Sequence, residues 1–414
     1  MTVSVIATIA LFAVGSGADW PQFRGPTGQG LAPDAHLPTD WGPARNVAWK
    51  KDVPGVGWSS PVVGAGRIYL TTAVAASDAK ATDYSLRTLC LDAKTGDTVW
   101  DVEVFLEKKG TPKPHPKNSH ASPTPILDGE RLFVHYGHMG TACLDLNGKV
   151  LWRNSDLKYS PVHGNGGTPI LEGDEIIFSA DGGDKQFVAA LVAKTGKLRW
   201  KTDRKPTSSR KFSFSTPLAI DVKGKREIVS PGPGGVVAYD PKNGDEIWRC
   251  RYGEGYSVIP RPVFGHGLVY VSSSYDQPVL YAVLPDGTGD VTKKNIVWTL
   301  KKGAPHTPSP LLVGDELYVA ADNGLGSCVD AKTGKVHWQQ RLGSAFSASP
   351  LYADGKIYFQ TEDGVGIVVK AGTKYEPLAR NELGEKTLAS YGVVGNAILL
   401  RTEHHLYRIE GGKE

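Results

Sequence analysis

Three of the eleven histidines, His120, His163 and His306, stand a few residues ahead of prolines, and Arg261 directly precedes one. Imidazoles that titrate near about pH 6.5 suit general-base or ligand-binding roles, and a guanidinium offers forked donors for a carboxylate. No nucleophile accompanies them. The chain lacks a Gly-x-Ser-x-Gly elbow, a His-Glu-x-x-His pair and a Gly-Lys-Ser/Thr phosphate loop. Gly232-Pro-Gly234-Gly235 reads as a tight turn between strands, because no helix follows it. Cys90, Cys143, Cys250 and Cys328 have no Cys-x-x-Cys spacing, which argues against a zinc, haem or redox site. No metal site is expected. Three of the thiols occupy one repeated position, too far apart to bridge, and all read as small buried apolar groups.

The elements that hold these residues follow from two repeated markers. In the first, Trp100, Trp152, Trp200, Trp248 and Trp338 each come four residues after a turn glycine (Gly96, Gly148, Gly196, Gly244 and Gly334). Trp49 and Trp298 extend the series, whose spacings of 51, 52, 48, 48, 50 and 40 residues match propeller blades. The second marker is a proline at the start of a strand: Pro61, Pro125, Pro169, Pro217, Pro262, Pro310 and Pro350. Proline is tolerated there because no ladder hydrogen bond is lost. Both markers count the same units. With 49 glycines and 28 prolines between short apolar runs, each unit reads as four strands joined by turns.

Four strands cannot bury both faces alone, so the units must pack radially. Leu388 to Gly411 supplies only three strands, and Asn46 to Val53 supplies the missing outer one. The expected fold is all-β: an eight-bladed propeller over 46–411, its last blade closed by an N-terminal strand. The seven tryptophans are read as blade-to-blade docking groups.

Residues 1–18 read as a signal peptide. Val3 to Val14 is apolar, and Gly15-Ser16-Gly17-Ala18 places small residues ahead of a cleavage point before Asp19. Export to the periplasm or the extracellular space is expected, without a transmembrane segment. No cysteine lies near the cleavage point to take a lipid. Residues 19–45, with Trp20, Phe23 and Trp41, read as an extension packed on the propeller. Glu107 to Asn118 reads as a basic loop. Net charge is +4 from 47 basic and 43 acidic residues, too balanced for the phosphate-tracking stripe of a nucleic-acid binder.

The pattern Asp-Ala-Lys-Thr-Gly-x-x-x-Trp (Asp92 to Trp100, Asp330 to Trp338), with its variant Asp240 to Trp248, resembles the tryptophan-docking repeat of pyrroloquinoline quinone (PQQ) propellers. The resemblance runs from Asn46 to Gly411 and implies two branches. Quinoprotein dehydrogenases hold PQQ against an adjacent cysteine pair, with calcium on Glu, Asn and Asp. Non-catalytic secreted members are similar to the outer-membrane barrel-assembly propeller lipoprotein. This chain has no adjacent cysteines, no mapped calcium set and no Cys-x-x-Cys-His haem site, so the resemblance implies the second branch.

In a propeller the innermost strands line the channel, and the segments that lead into them open at one mouth. Loops on such a rigid scaffold are where binding groups sit. There the sequence places Trp58, His120, His163, Asn165, Tyr256, Arg261 and His306, with Phe212 and Phe214, rather than the Ser, Thr and Gly of a plain structural turn. Turns between second and third strands add His138, Asp181, Asp184, Tyr275, Asp276, Asp322, Glu362 and His404 to the same face. The expected function is a monomeric, non-catalytic binding or scaffold propeller, needing no cofactor, that presents this mouth to a protein, peptide or glycan. Alternatives are a PQQ- and calcium-dependent dehydrogenase, or a hydrolase or lyase built on the histidine and Arg261 cluster.

Overall fold

The structure, a computed structural model, describes residues 19–75, 83–108 and 113–411. The expected signal peptide lies outside the described residues. The described strands form eight four-stranded antiparallel blades, as the repeat count requires. The first blade runs Val62–Gly64, Arg67–Ala75, Tyr84–Asp92 and Thr98–Glu107 from channel to rim. Each of the seven prolines stands immediately before an innermost strand. Middle strands are sandwiched between neighbouring blades and are apolar on both faces; Arg67–Ala75 has six consecutive buried residues. Rim strands alternate with solvent, and Val47–Asp52 reads half-buried, exposed, half-buried along its length.

One turn explains the glycine-tryptophan spacing. The Asp92 carboxylate accepts from the backbone N–H of Lys94 at 2.9 Å and Thr95 at 3.0 Å. The chain then reverses through Gly96 at φ +75°. A side chain on Gly96 would collide with the Trp49 indole of the blade before it. Gly148 meets Trp100 in the same way, Gly196 meets Trp152, Gly244 meets Trp200 and Gly334 meets Trp298. Each turn therefore receives one blade's indole, and the strand leaving it carries the indole for the next blade. The indole N–H groups of Trp100, Trp152, Trp200, Trp298 and Trp338 donate to carbonyls of the following blade's turn at 2.8–3.1 Å.

Trp49 packs on its turn with the N–H unpaired, and Trp248 departs from the pattern altogether. The fifth blade replaces the repeated turn with a loop that holds Gly289–Asp290 parallel to the fourth blade's rim strand, followed by the short helix Thr292–Asn295. Trp248 is fully buried beneath it, and its N–H turns inward to Glu227 Oε2 at 2.8 Å.

The ring closes as the sequence requires. Val47–Asp52 pairs antiparallel with His405–Glu410, with Lys51 opposite Leu406. The segment ahead of it, residues 19–46, spans the other end of the channel. Trp20 pairs with Val63 of the first blade, and Pro21 accepts from Leu127 of the second. Gln29 accepts from Phe264 of the fifth, and Gly30 and Ala32 bond to Tyr352 of the seventh. A segment bonded to blades on opposite sides of the ring must cross the axis, and so this one closes that end. Trp41, 1% exposed, fixes the far end by stacking on Tyr358. Among the described residues no helix is long and apolar enough to cross a membrane.

Candidate functional site

A cavity of about 350 Å³ occupies the channel. Phe23 of the crossing segment contributes to its wall, while the exposed His115 and Lys117 mark its open mouth. The channel is therefore blind rather than through-going.

Its wall has two zones. The inner zone is a ring of hydroxyls formed by the residue two places before each innermost strand: Ser60, Thr124, Thr168, Thr216, Ser309, Ser349 and Ser390. Each links a blade to its neighbour. The Ser60 N–H donates to Thr124 Oγ1 at 3.0 Å, Thr124 to Thr168 at 3.0 Å and Thr168 to Thr216 at 3.1 Å. On the other side Ser309 donates to Ser349 at 3.0 Å and Ser349 to Ser390 at 2.9 Å. The eighth place is Arg261, whose N–H donates onward to Ser309 Oγ at 2.9 Å but which offers Thr216 no hydroxyl. The ring is broken there, as it is between Ser390 and Ser60, and Ser215 bridges the fourth and fifth blades instead by donating to Pro260 O at 2.9 Å.

The outer zone is aromatic and basic. Phe212 packs edge-on against His163 at 5.2 Å, Phe214 at 5.9 Å and Tyr256 at 5.5 Å between ring centroids. His115 meets His163 edge-on, and burial together with His115 lowers the His163 pKa. The Arg210 guanidinium lies 4.7 Å above the Tyr256 ring, and the Tyr256 hydroxyl donates to Asp276 at 3.0 Å. Burial and then that carboxylate raise the Tyr256 pKa. Lys117 is held at the rim by Glu362 at 2.7 Å. Among the described lining residues none is Asp, Glu or Cys.

Of the seven binding residues that the sequence assigns to the mouth, Trp58, His163 and Tyr256 line this cavity, together with Phe212 and Phe214. The other four point elsewhere. His120 is buried with its Nδ1 2.6 Å from Glu107, which His138 also approaches at 3.2 Å. Glu107 is thus the buried end of a rim strand and not part of a solvated loop. Asn165 is clamped between the Tyr136 carbonyl at 3.2 Å and His138 Nδ1 at 3.2 Å. His306 stacks edge-on with Tyr275, and its backbone N–H donates to Asp322. Arg261 lies at the closed end, 3% exposed, where it donates to Pro217 O at 3.1 Å and Phe23 O at 2.9 Å. It is not presented at the mouth, because its long side chain runs inward from the hydroxyl ring.

Sequence reasoning passed over His115, Lys117 and Arg210 as site residues and also missed the hydroxyl ring. The signal for the ring was present as Ser-Pro and Thr-Pro pairs at six of the seven prolines, with Arg261-Pro262 as the odd one.

The lining offers aromatic faces, cations and hydroxyls. The lining residues do not fit a calcium-bound quinone: no carboxylate lines the cavity, and the described residues hold no group of three His, Cys, Asp or Glu able to take a metal. The four cysteines are buried and unpaired, each on a strand of a different blade.

Solved structures share the architecture. BamB from Moraxella catarrhalis is 14% identical with a TM-score of 0.61, over 88% of this chain and 99% of that one. The computationally designed Ika8 protein is 10% identical with a TM-score of 0.60, over 92% of this chain and 99% of that one. The quinohemoprotein alcohol dehydrogenase from Comamonas testosteroni, 13% identical over 96% of this chain and 81% of its own, reaches a TM-score of only 0.47, too loose to bear on chemistry. No curated protein matches the sequence. The family model described as outer membrane protein assembly factor BamB matches residues 45–155, 85–310 and 290–374. The repeated docking turns, the blade count and this match agree that the chain belongs to that family.

Proposed function

We propose that this protein is an exported, non-catalytic binding propeller whose blind channel mouth receives part of a protein, peptide or glycan. One observation carries the reading: a preformed cavity of about 350 Å³ pairs an aromatic wall with a floor of hydroxyls, and no acid, thiol or metal-ligand set among the described residues lines it. Apolar platforms with a few convergent polar groups are the usual make-up of a ligand site. Membership of the assembly-factor family supports a scaffold role at the cell envelope. PQQ is not expected to bind.

Two measurements test this. Peptide and oligosaccharide sets are screened by thermal shift with the full chain, and hits are repeated with Phe212→Ala and Tyr256→Ala. Binding should fall at least tenfold in both variants while their own melting stays within a few degrees of the parent. Separately, the protein is incubated with PQQ and calcium and then desalted. A quinone absorbance band that stays with the protein would overturn the non-catalytic reading.

A further inference from the structure

The closed end of the channel holds two guanidiniums that lack a counter-charge. Arg24 is 2% exposed and Arg261 3%. Among the described residues neither has a carboxylate within salt-bridge distance. Arg261 is bonded to carbonyls of Pro217 and Phe23, and Arg24 donates from Nη2 to Gln29 O at 2.9 Å. Nε and Nη1 of Arg24 are buried with no hydrogen-bond partner. The segment folds tightly over both: a side chain on Gly28 would strike the Arg261 guanidinium, and one on Gly30 would strike that of Arg24.

An arrangement like this is costly unless something neutralises it. Burying one unpaired charge costs several kcal/mol, and a guanidinium does not escape by losing its proton near neutrality. Burial draws both groups down to about 9, helped at Arg24 by the charge of Arg261, and that still leaves both protonated at pH 7. Like charges placed together would add to the cost. Seven blades carry a hydroxyl where the fifth carries Arg261, and a hydroxyl there would have given Thr216 an acceptor. Arg261 ties the crossing segment down through Phe23 O, but a neutral donor could do that, and the buried charge is what calls for an anion.

We propose that Arg24 and Arg261 form an anion site at the closed end of the channel, which takes an oxyanion such as a carboxylate or sulfate. The cavity beside them, which neither arginine lines, carries the same sign of charge. Lys117, Arg210, His115 and His163 stand in the outer zone, and no acidic residue lines the described cavity. The oxyanion is either a free ion or the acidic group of a ligand admitted at the mouth; only the second source rests on the function proposed above.

The test uses the full exported chain dialysed free of small anions, at constant ionic strength. Sodium sulfate and sodium acetate are titrated while the melting temperature is followed, with sodium chloride as the ionic-strength control. A saturable rise is expected with the oxyanions, at least tenfold weaker in Arg24→Gln and Arg261→Ser. Arg261→Ser restores the hydroxyl found in the other blades, so it should fold and melt above the parent in anion-free buffer. An unsaturable response equal to that of chloride, or an unchanged response in Arg261→Ser, overturns the site.

An acidic uronate oligosaccharide and a neutral one of equal length then separate the sources. Acidic binding that sulfate displaces assigns the oxyanion to a ligand. Saturation by sulfate with neither sugar bound keeps the site as one for a free ion and counts against glycan binding at the mouth. Equal binding of both sugars with no sulfate response supports the mouth and overturns the anion site.

Discussion

Trp49 and Gly96 meet across the seam of the ring: the indole from the strand that closes the eighth blade lies against the α-carbon of the first blade's turn. The same pairing joins Trp152 to Gly196, where a β-carbon would lie 2.4 Å from the indole at φ +70°. Gly196→Ala combines backbone strain with a clash against a docked ring. It should lower stability by roughly 2–4 kcal/mol, above the ~1 kcal/mol expected where only the left-handed backbone objects. Gly224 is that control, with φ +78° and nothing within 4 Å. Denaturant unfolding of Gly196→Ala and Gly224→Ala compares the two, and equal losses would mean that docking adds nothing.

Trp248 should be the most costly indole to remove. It is fully buried, and truncation would also leave Glu227 inside without its donor. Trp248→Ala should cost about 3–5 kcal/mol by urea unfolding. If the donor matters as well as the cavity, Trp248→Phe should still cost more than about 1 kcal/mol.

The hydroxyl ring predicts a smaller and more local effect. Thr168 Oγ1 accepts the buried Thr124 N–H, so Thr168→Val preserves shape and leaves a donor unsatisfied. A loss of roughly 1–3 kcal/mol is expected, with faster amide exchange confined to the start of the innermost strand at Ile126.

Acid should loosen the seam. Burial raises the Glu385 pKa, but hydrogen bonds from His405, Thr402, the His404 N–H and Tyr407 outweigh it and leave the group at about 2. A carboxylate held below its ordinary value stabilises the fold fully above that ordinary range. The contribution is lost as pH falls from about 4.5 towards 2. Melting temperature measured from pH 6 to 2 should therefore drop less steeply for Glu385→Gln than for the parent, with the variant already lower at pH 6.

All four thiols should resist labelling until the chain unfolds. Burial pushes Cys90, Cys143 and Cys328 up to about 12 and Cys250 to about 11, leaving very little thiolate near neutrality. Mass spectrometry after a thiol reagent should find four modifications in denaturant and none within the same time in native buffer.

The fold was readable because its constraints are local and periodic. Gly96 and Trp100 serve two different interfaces, yet they sit four residues apart and recur around the ring. The closing strand was readable for a related reason: Trp49 carried the docking residue without the strands that should precede it. Side-chain direction was harder to read. His120 and Asn165 occupy the anticipated segments, but Glu107 and His138 come from other elements and draw them into the wall. Arg210 and Lys117 belong to stretches without the repeat pattern, so periodicity offered nothing by which to align them. Arg261 stood in register with seven hydroxyls, and that comparison down the column of blades would have marked it as the exceptional residue.

The crossing segment and the closing strand are one continuous stretch, residues 19–52, so the floor of the cavity is tied to the clasp of the ring. During synthesis this stretch is made well before its last partner, yet it acquires its final partners only once His405–Glu410 has been made. That long-range closure places a large loop-ordering step late in assembly. The recess cannot acquire its bottom before the seventh blade, which carries Tyr352, has been made. Ligand capture would then report on a finished molecule, and a partly assembled chain would remain an open tube, unable to compete for the same partner.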